Sequence, residues 1–190
     1  MSIDTQSVGT LFAHAAMNLD TVCYRGSAPI NDLARMSQSD IFDQERNSNG
    51  TQRDLSPKHA SDAYEYIKRS PHPDYPRAFP EVVLNVRDKR VLKLEQIIDQ
   101  KMVPPLTEAV RDAARQGQLE MYRIEFDIDL MDLTDMVFVS RVDGNHRLEY
   151  ANGDALRAPL DSAVPFQIHV GLSPDQERSL FVDINSNQKA

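Results

Sequence analysis

The residues of this chain best equipped for chemistry are five in a row: Asp143-Gly144-Asn145-His146-Arg147. The apolar stretch Met136 to Val142 before them reads as a strand, and a short helix can begin near Asn145 or His146. Backbone N–H groups at such a helix start have no internal partner, and the helix dipole favours negative charge there. A phosphate group fits that place. Gly144 lets the backbone approach a ligand with no Cβ in the way. Arg147 offers a bidentate fork for phosphate oxygens, His146 a second donor, and Asn145 a group that can orient a ligand or a water. The same residues admit a plainer reading, in which Asp143 or Asn145 simply caps the helix.

The turn needs a scaffold, and the pattern of the chain supplies candidates. Ser7 to Leu19 has apolar positions at Val8, Leu11, Phe12, Ala15 and Leu19, which predicts a short helix, and Ile30 to Met36 predicts a second. Asn47-Ser48-Asn49-Gly50 is a turn signal. Ser56 and Pro57 open a helix expected to run to Arg69 with Ala60, Ala63, Tyr64 and Ile67 on one face. Pro71, Pro73 and Pro76 forbid its continuation. A buried strand is expected at Glu81 to Val86 and a helix at Leu106 to Gln116, closed by Gly117. Tyr122 to Leu130 alternates apolar and charged residues and reads as a half-exposed strand. Phe166 to Val170 is a further strand. Ser173-Pro174 opens a helix through about Asp183, with Leu180 and Phe181 facing inward. These elements predict one α/β domain with a small mixed sheet flanked by helices.

Composition narrows the function classes. The 190 residues are 41% hydrophobic and 26% charged, ordinary values for a globular domain. A net charge of -8 gives no bulk help in holding nucleic acid, so any such role needs a local site. No apolar run approaches a membrane span, and the first residues make a poor signal peptide. With Cys23 as the sole cysteine, no internal disulfide can form, which suits a reducing cytoplasm. No Cys-His pattern surrounds Cys23, so a packing role is expected for it.

The stretch Asp143-Gly144-Asn145-His146-Arg147-Leu148-Glu149 resembles the signature of the DGQHR-domain family, which includes DndB-like DNA phosphorothioation proteins, with Asn145 where Gln is usual. Leu180 to Lys189 resembles the family's second signature, about 40 residues later. Thr51-Gln52-Arg53-Asp54-Leu55 and Pro80 to Val83 match more loosely. The resemblance covers roughly residues 40–190 and is related to the ParB/sulfiredoxin superfamily. It implies residues 41–190 as a ParB-like domain and residues 1–40 as a partly helical N-terminal extension. In the relatives the turn binds the phosphates of CTP or ATP. Carried over, Gly144, Asn145, His146 and Arg147 contact phosphates, Arg53 and Asn185 line the pocket, and Asp143 shapes the turn or helps hold a metal. The sulfiredoxin cysteine falls at Asn145, which excludes thiol chemistry there. Larger relatives continue with a mostly helical region, so this chain is expected to be a short version.

The expected ligand is ATP or another nucleoside triphosphate with Mg²⁺, since Mg²⁺ binds through one or two carboxylates plus phosphates. Asp143, Glu149 and Asp183 are the carboxylates in view. Hydrolysis would use Asp143, His146 and Arg147, through positioning and charge stabilisation. His14, His59, His72, His146 and His169 show no zinc spacing, and His169 reads as a satisfied strand histidine. The acidic set Glu125, Asp127, Asp129, Asp132 and Asp135 reads as a solvated strand edge and loop, and Arg87-Asp88-Lys89-Arg90 as a hairpin tip. The competing expectations are a DNA-binding regulator or interaction module without catalysis, and a ParB-like nuclease, for which no secure carboxylate cluster is present. A DNA-modification protein is the partner the resemblance implies, and an oligomer is compatible with it.

Overall fold

The Ala-rich stretch after residue 8 has good helix formers, yet it is a strand. In the computed structural model, residues 8–18, 21–41, 50, 58, 62, 65–66, 78–97, 120–133, 136–149 and 163–187 are described. Strands β1 (Val8–Asn18) and β2 (Thr21–Pro29) pair antiparallel with Ala13 opposite Gly26. The helix expected over Ser7 to Leu19 is therefore corrected. Pairing on both sides of β1, to β2 and to a later strand, outweighs the helix propensity of its alanines. Leu11 and Ala13 are buried at a spacing of two, as a pleated strand requires.

After β2 come helix α1 (Ile30–Arg35), strand β3 (Val82–Val86), a 3-10 turn at Lys89–Val91 and strand β4 (Leu92–Gln96). Strand β5 (Met121–Asp127) and helix α2 (Ile128–Asp132) follow, then strand β6 (Val139–Asp143), helix α3 (Asn145–Glu149), strand β7 (Ala163–Val170) and helix α4 (Pro174–Asn187). The seven strands form one sheet in the order β4-β5-β1-β2-β7-β3-β6. All pairs are antiparallel except β3 with β7. The chain is thus a mixed α/β domain whose sheet is flanked by helices. The segment before residue 40 supplies β1 and β2, which lie between β5 and β7 in the sheet.

One sheet face carries the apolar core. Leu11, Leu84, Ile124, Phe126, Phe166 and Ile168 pack there against Ile30 and Leu33 of α1, Ile128 and Met131 of α2, and Leu148 of α3. Alternation turns Val83 and Asn85, between core residues Val82, Leu84 and Val86, to the other face, where α4 lies. The β6 edge is closed by Gln38, which donates to the Val139 carbonyl at 2.8 Å and accepts from the Arg141 amide at 3.0 Å. An edge paired in this way is unavailable to another chain.

Several boundaries differ from the sequence reading, each for a local reason. Strand β5 ends at Asp127 because its Oδ1 accepts from the Leu130 amide at 2.9 Å and starts α2. Strand β6 begins at Val139 and not at Met136, which is exposed. Strand β7 begins before Pro165, since β3 reaches only as far as Phe166 and leaves one side of β7 unpaired at the proline. Helix α4 runs past Asp183 to Asn187, and its Leu180 and Phe181 are only half-buried. Arg53, Asn47 to Asn49, Asp135, Leu106 to Gln116, Gln188 and Lys189 lie outside the described residues. Of the helix expected over Ser56 to Arg69, Lys58, Asp62, Glu65 and Tyr66 are described and are helical. Among the described residues no helix is long and apolar enough to cross a membrane.

Candidate functional site

The glycine turn forms as its residues suggest, but its side chains have employment within the protein. Gly144 has φ +91°, a left-handed value that favours glycine, and α3 begins directly after it. The amides of Arg147 and Leu148 both donate to the Gly144 carbonyl at 3.0 Å. Helix α3 has only five residues, so its dipole is small and the side chains must carry any ligand contact.

Beneath the turn lies Arg141 of β6, 1% exposed, which the sequence reading did not single out. Its Nε donates to Ser37 Oγ at 3.1 Å. Its Nη1 donates to Asn145 Oδ1 at 3.2 Å and Glu149 Oε2 at 2.9 Å. Its Nη2 donates to the carbonyls of Ala34 at 3.1 Å and Ser37 at 2.9 Å. Burial lowers the Arg141 pKa, and Glu149 works against that shift. Asn145 also donates from Nδ2 to Ser39 Oγ at 2.9 Å. Asn145 and Glu149 therefore anchor the turn to α1 and its following loop. An arginine inside the strand pattern Val139-Ser140-Arg141-Val142 was the signal for this arrangement.

Arg147 turns the other way. Its Nη2 donates to Asp143 Oδ2 at 3.0 Å and to the Glu81 carbonyl at 3.2 Å, and its guanidinium sits 5.6 Å from the Phe79 ring centre. Its Nε is buried and has no hydrogen-bond partner among the described residues, on a side chain 22% exposed. His146 is half-buried beside it. Asn185 is half-buried on α4, where its Nδ2 donates to the Phe181 carbonyl at 2.8 Å.

Beside the turn is a cleft of about 240 Å³, on the α4 face of the sheet. It is lined by Asn18, Arg25, Glu81, Asp143, Gln167 and Ile184, with Pro80 and Val83. Asp143 is the one residue of the glycine motif in that lining. Arg25 grips Glu81 through Nε and Nη2, at 2.8 to 2.9 Å, with 46% and 28% of the two side chains exposed. The Arg25–Glu81 pair thus lines this cleft, and Asp143 brings the carboxylate end of its pair with Arg147 to it. At its floor Gln167 and His169 of β7 touch through their Nε2 atoms. Arg25 of β2, Glu81 just before β3 and Gln167 of β7 are far apart in sequence, and their spacing holds no signal that could have found them.

Other residues of interest have structural work. Burial pushes the Cys23 thiol up, with Arg25 opposing and Glu81 adding to the shift, which is the reverse of nucleophile activation. Glu125 pairs with Lys93 and Arg123, Asp127 caps α2, and Arg90 binds Asp88. Among the described residues no group of three or more His, Cys, Asp or Glu could hold a metal ion. No family model matches the chain, and no curated protein or solved structure matches it either.

Proposed function

We propose that this chain is a nucleotide-binding domain of the DGQHR, DndB-like type, with a ParB/sulfiredoxin-like fold, working in DNA modification or phage defence. The ligand is ATP or another nucleoside triphosphate with Mg²⁺, held in the cleft beside the Gly144 turn. The observation that carries this reading is the lining of that cleft by the partly exposed Arg25–Glu81 pair and by Asp143, the carboxylate end of the pair with Arg147. A phosphate chain and a divalent cation together are the complement of that set. Arg25 and Arg147 would offer guanidinium donors to phosphate oxygens, and Glu81 and Asp143 are the carboxylates that would hold the cation. The resemblance of Asp143 to Glu149 and of Leu180 to Lys189 to the two family signatures supports the same reading.

In this arrangement Gly144 lets the ligand approach the backbone, and Arg147 and His146 stabilise phosphate charge. Asn145 acts on the turn through Arg141, and Asp143 orients the metal or an attacking water. Any hydrolysis rests on positioning and electrostatics. Asn185, whose neighbour Ile184 lines the cleft, and Arg53 remain part of the proposal at its margin.

Calorimetric titration with ATP, CTP and GTP, each with Mg²⁺, tests this. One triphosphate should bind, and Arg147→Gln should weaken it at least tenfold while its thermal unfolding stays cooperative. Failure of all three to bind overturns the reading. Salt-sensitive binding to duplex DNA in its place would turn attention to a DNA-binding regulator without catalysis.

A further inference from the structure

Gln167 and His169 are the buried polar residues of β7, 3% and 1% exposed, and they follow one another at a spacing of two on the face that looks toward α4. A polar group buried in a sheet is normally paired at every atom. This pair is not. In the carboxamide orientation of this structure Gln167 Nε2 faces His169 Nε2, and because an amide nitrogen can only donate, the ring in this orientation accepts there with its proton on Nδ1. His169 Nδ1 is buried with no hydrogen-bond partner. The carbonyl oxygen of Gln167 is the end of the carboxamide turned away from the ring, and Gln167 lines the cleft. The neighbouring Asn85 shows the contrast: both ends of its amide are bonded, Nδ2 to the Leu172 carbonyl at 3.0 Å and Oδ1 to the Leu172 amide at 3.1 Å.

An acceptor at the floor of the cleft selects for a donor. Phosphate oxygens are acceptors and are repelled by it. In a nucleotide the donor groups nearest the phosphate chain are the sugar hydroxyls, and a cleft of about 240 Å³ is too small to enclose a base as well as a phosphate chain and sugar. We infer that Gln167 reads the sugar of the bound nucleotide, its carbonyl oxygen accepting from a ribose hydroxyl while His169 holds the carboxamide in that orientation. This rests on the nucleotide reading of the cleft. His169 is a positioning residue in it. Burial lowers the His169 pKa, against an opposing pull from Glu81, which keeps the ring neutral and able to accept.

The test is a titration of the wild-type chain, Gln167→Met and Gln167→Glu with ATP, CTP and GTP, their 2′-deoxy counterparts, and inorganic triphosphate, all with Mg²⁺. The wild type should prefer the ribonucleotide roughly tenfold, one hydrogen bond's worth. Gln167→Met should bind ribo and deoxy forms alike, with inorganic triphosphate reporting the phosphate contacts separately. Gln167→Glu, which keeps an acceptor at that position, should retain the preference despite weaker overall binding. Equal wild-type affinity for ribo and deoxy forms overturns the inference even if Gln167→Met fails to fold, and so does a preference that survives in Gln167→Met. Binding of no nucleotide at all by the wild type overturns the cleft reading itself, and this inference with it.

Discussion

Helix α4 covers two polar networks on one face of the sheet, and they are built on opposite principles. Under its first turns Glu177, 0% exposed, is saturated. It accepts from Asn85 Nδ2 at 2.6 Å, from Ser140 Oγ at 2.6 Å, and from Arg87 through both Nε and Nη2. Arg87 also pairs with Asp40 at 2.7 Å. Burial works against the Arg87 charge, but the bonds to Glu177 and Asp40 outweigh it and raise its pKa. The helix enters through a capping box, in which Gln176 Oε1 accepts from the Ser173 amide at 2.8 Å and Ser173 Oγ from the Gln176 amide at 3.3 Å. Further along, Ile184 lines the cleft, where the Arg25–Glu81 pair is partly exposed and Gln167 sits against His169, whose Nδ1 is buried with no hydrogen-bond partner among the described residues. A closed network fixes the helix. An open one keeps interaction capacity for something that arrives.

Breaking the closed network should have the largest effect on stability. Glu177→Ala leaves Arg87, Asn85 and Ser140 short of their acceptor and should destabilise by about 3 to 5 kcal/mol in urea unfolding. A loss below about 1 kcal/mol would contradict the anchoring role. Arg141→Met strands the Ala34 and Ser37 carbonyls, while Glu149 can turn to water, so about 2 to 4 kcal/mol is expected by the same measurement. Gly144→Ala forces φ +91° on an alanine and sets its Cβ 3.2 Å from Arg147 Nη2 and Val82 Cγ2. It should lose about 1 to 3 kcal/mol and disturb the Arg147–Asp143 pair.

The histidines give a smaller, pH-dependent effect. Burial lowers the pKa of His169, opposed by Glu81, and that of His14, helped by Arg25. The unfolded chain takes up these protons near pH 6.5, where the folded chain does not. Their contribution is complete above that pH and is lost as pH falls below it, by up to ~1 kcal/mol per pH unit per group. Urea unfolding at pH 7.5 and 5.5 should show a shallower pH slope for His169→Gln than for the wild type. Equal slopes would mean that His169 titrates alike in both states.

The sequence made the turn legible because a glycine between a strand and a helix start is a local signal, and Gly144 has the φ that signal implies. Helix α1, β3 and the entry of α4 were legible for the same reason, through periodicity, Pro80 and Ser173-Pro174. What the turn's side chains do was not legible. Asn145 and Glu149 look like ligand groups in a row of letters, but they are bonded to Arg141, whose place beneath them depends on α1 and the sheet. Strand β1 was misread because Val8, Leu11, Phe12 and Ala15 fit helical spacing, while Val8, Leu11 and Phe12 are held by β5, over a hundred residues later, and Ala15 by β2. The cleft is of that kind throughout: Arg25, Glu81, Asp143 and Gln167 meet only when β2, β3, β6 and β7 are aligned.

The contrast between the two networks is tested most directly at Arg25, by measuring unfolding free energy and triphosphate affinity on the same Arg25→Gln protein. The side chain is half in solvent, so its ion pair with Glu81 should contribute no more than about 1 kcal/mol to stability. Stability within that margin of the wild type, with affinity for the Mg²⁺-triphosphate reduced at least tenfold, is the predicted result. Unchanged affinity, or a stability loss as large as that of Glu177→Ala, would show the cleft to be scaffold like the network beside it.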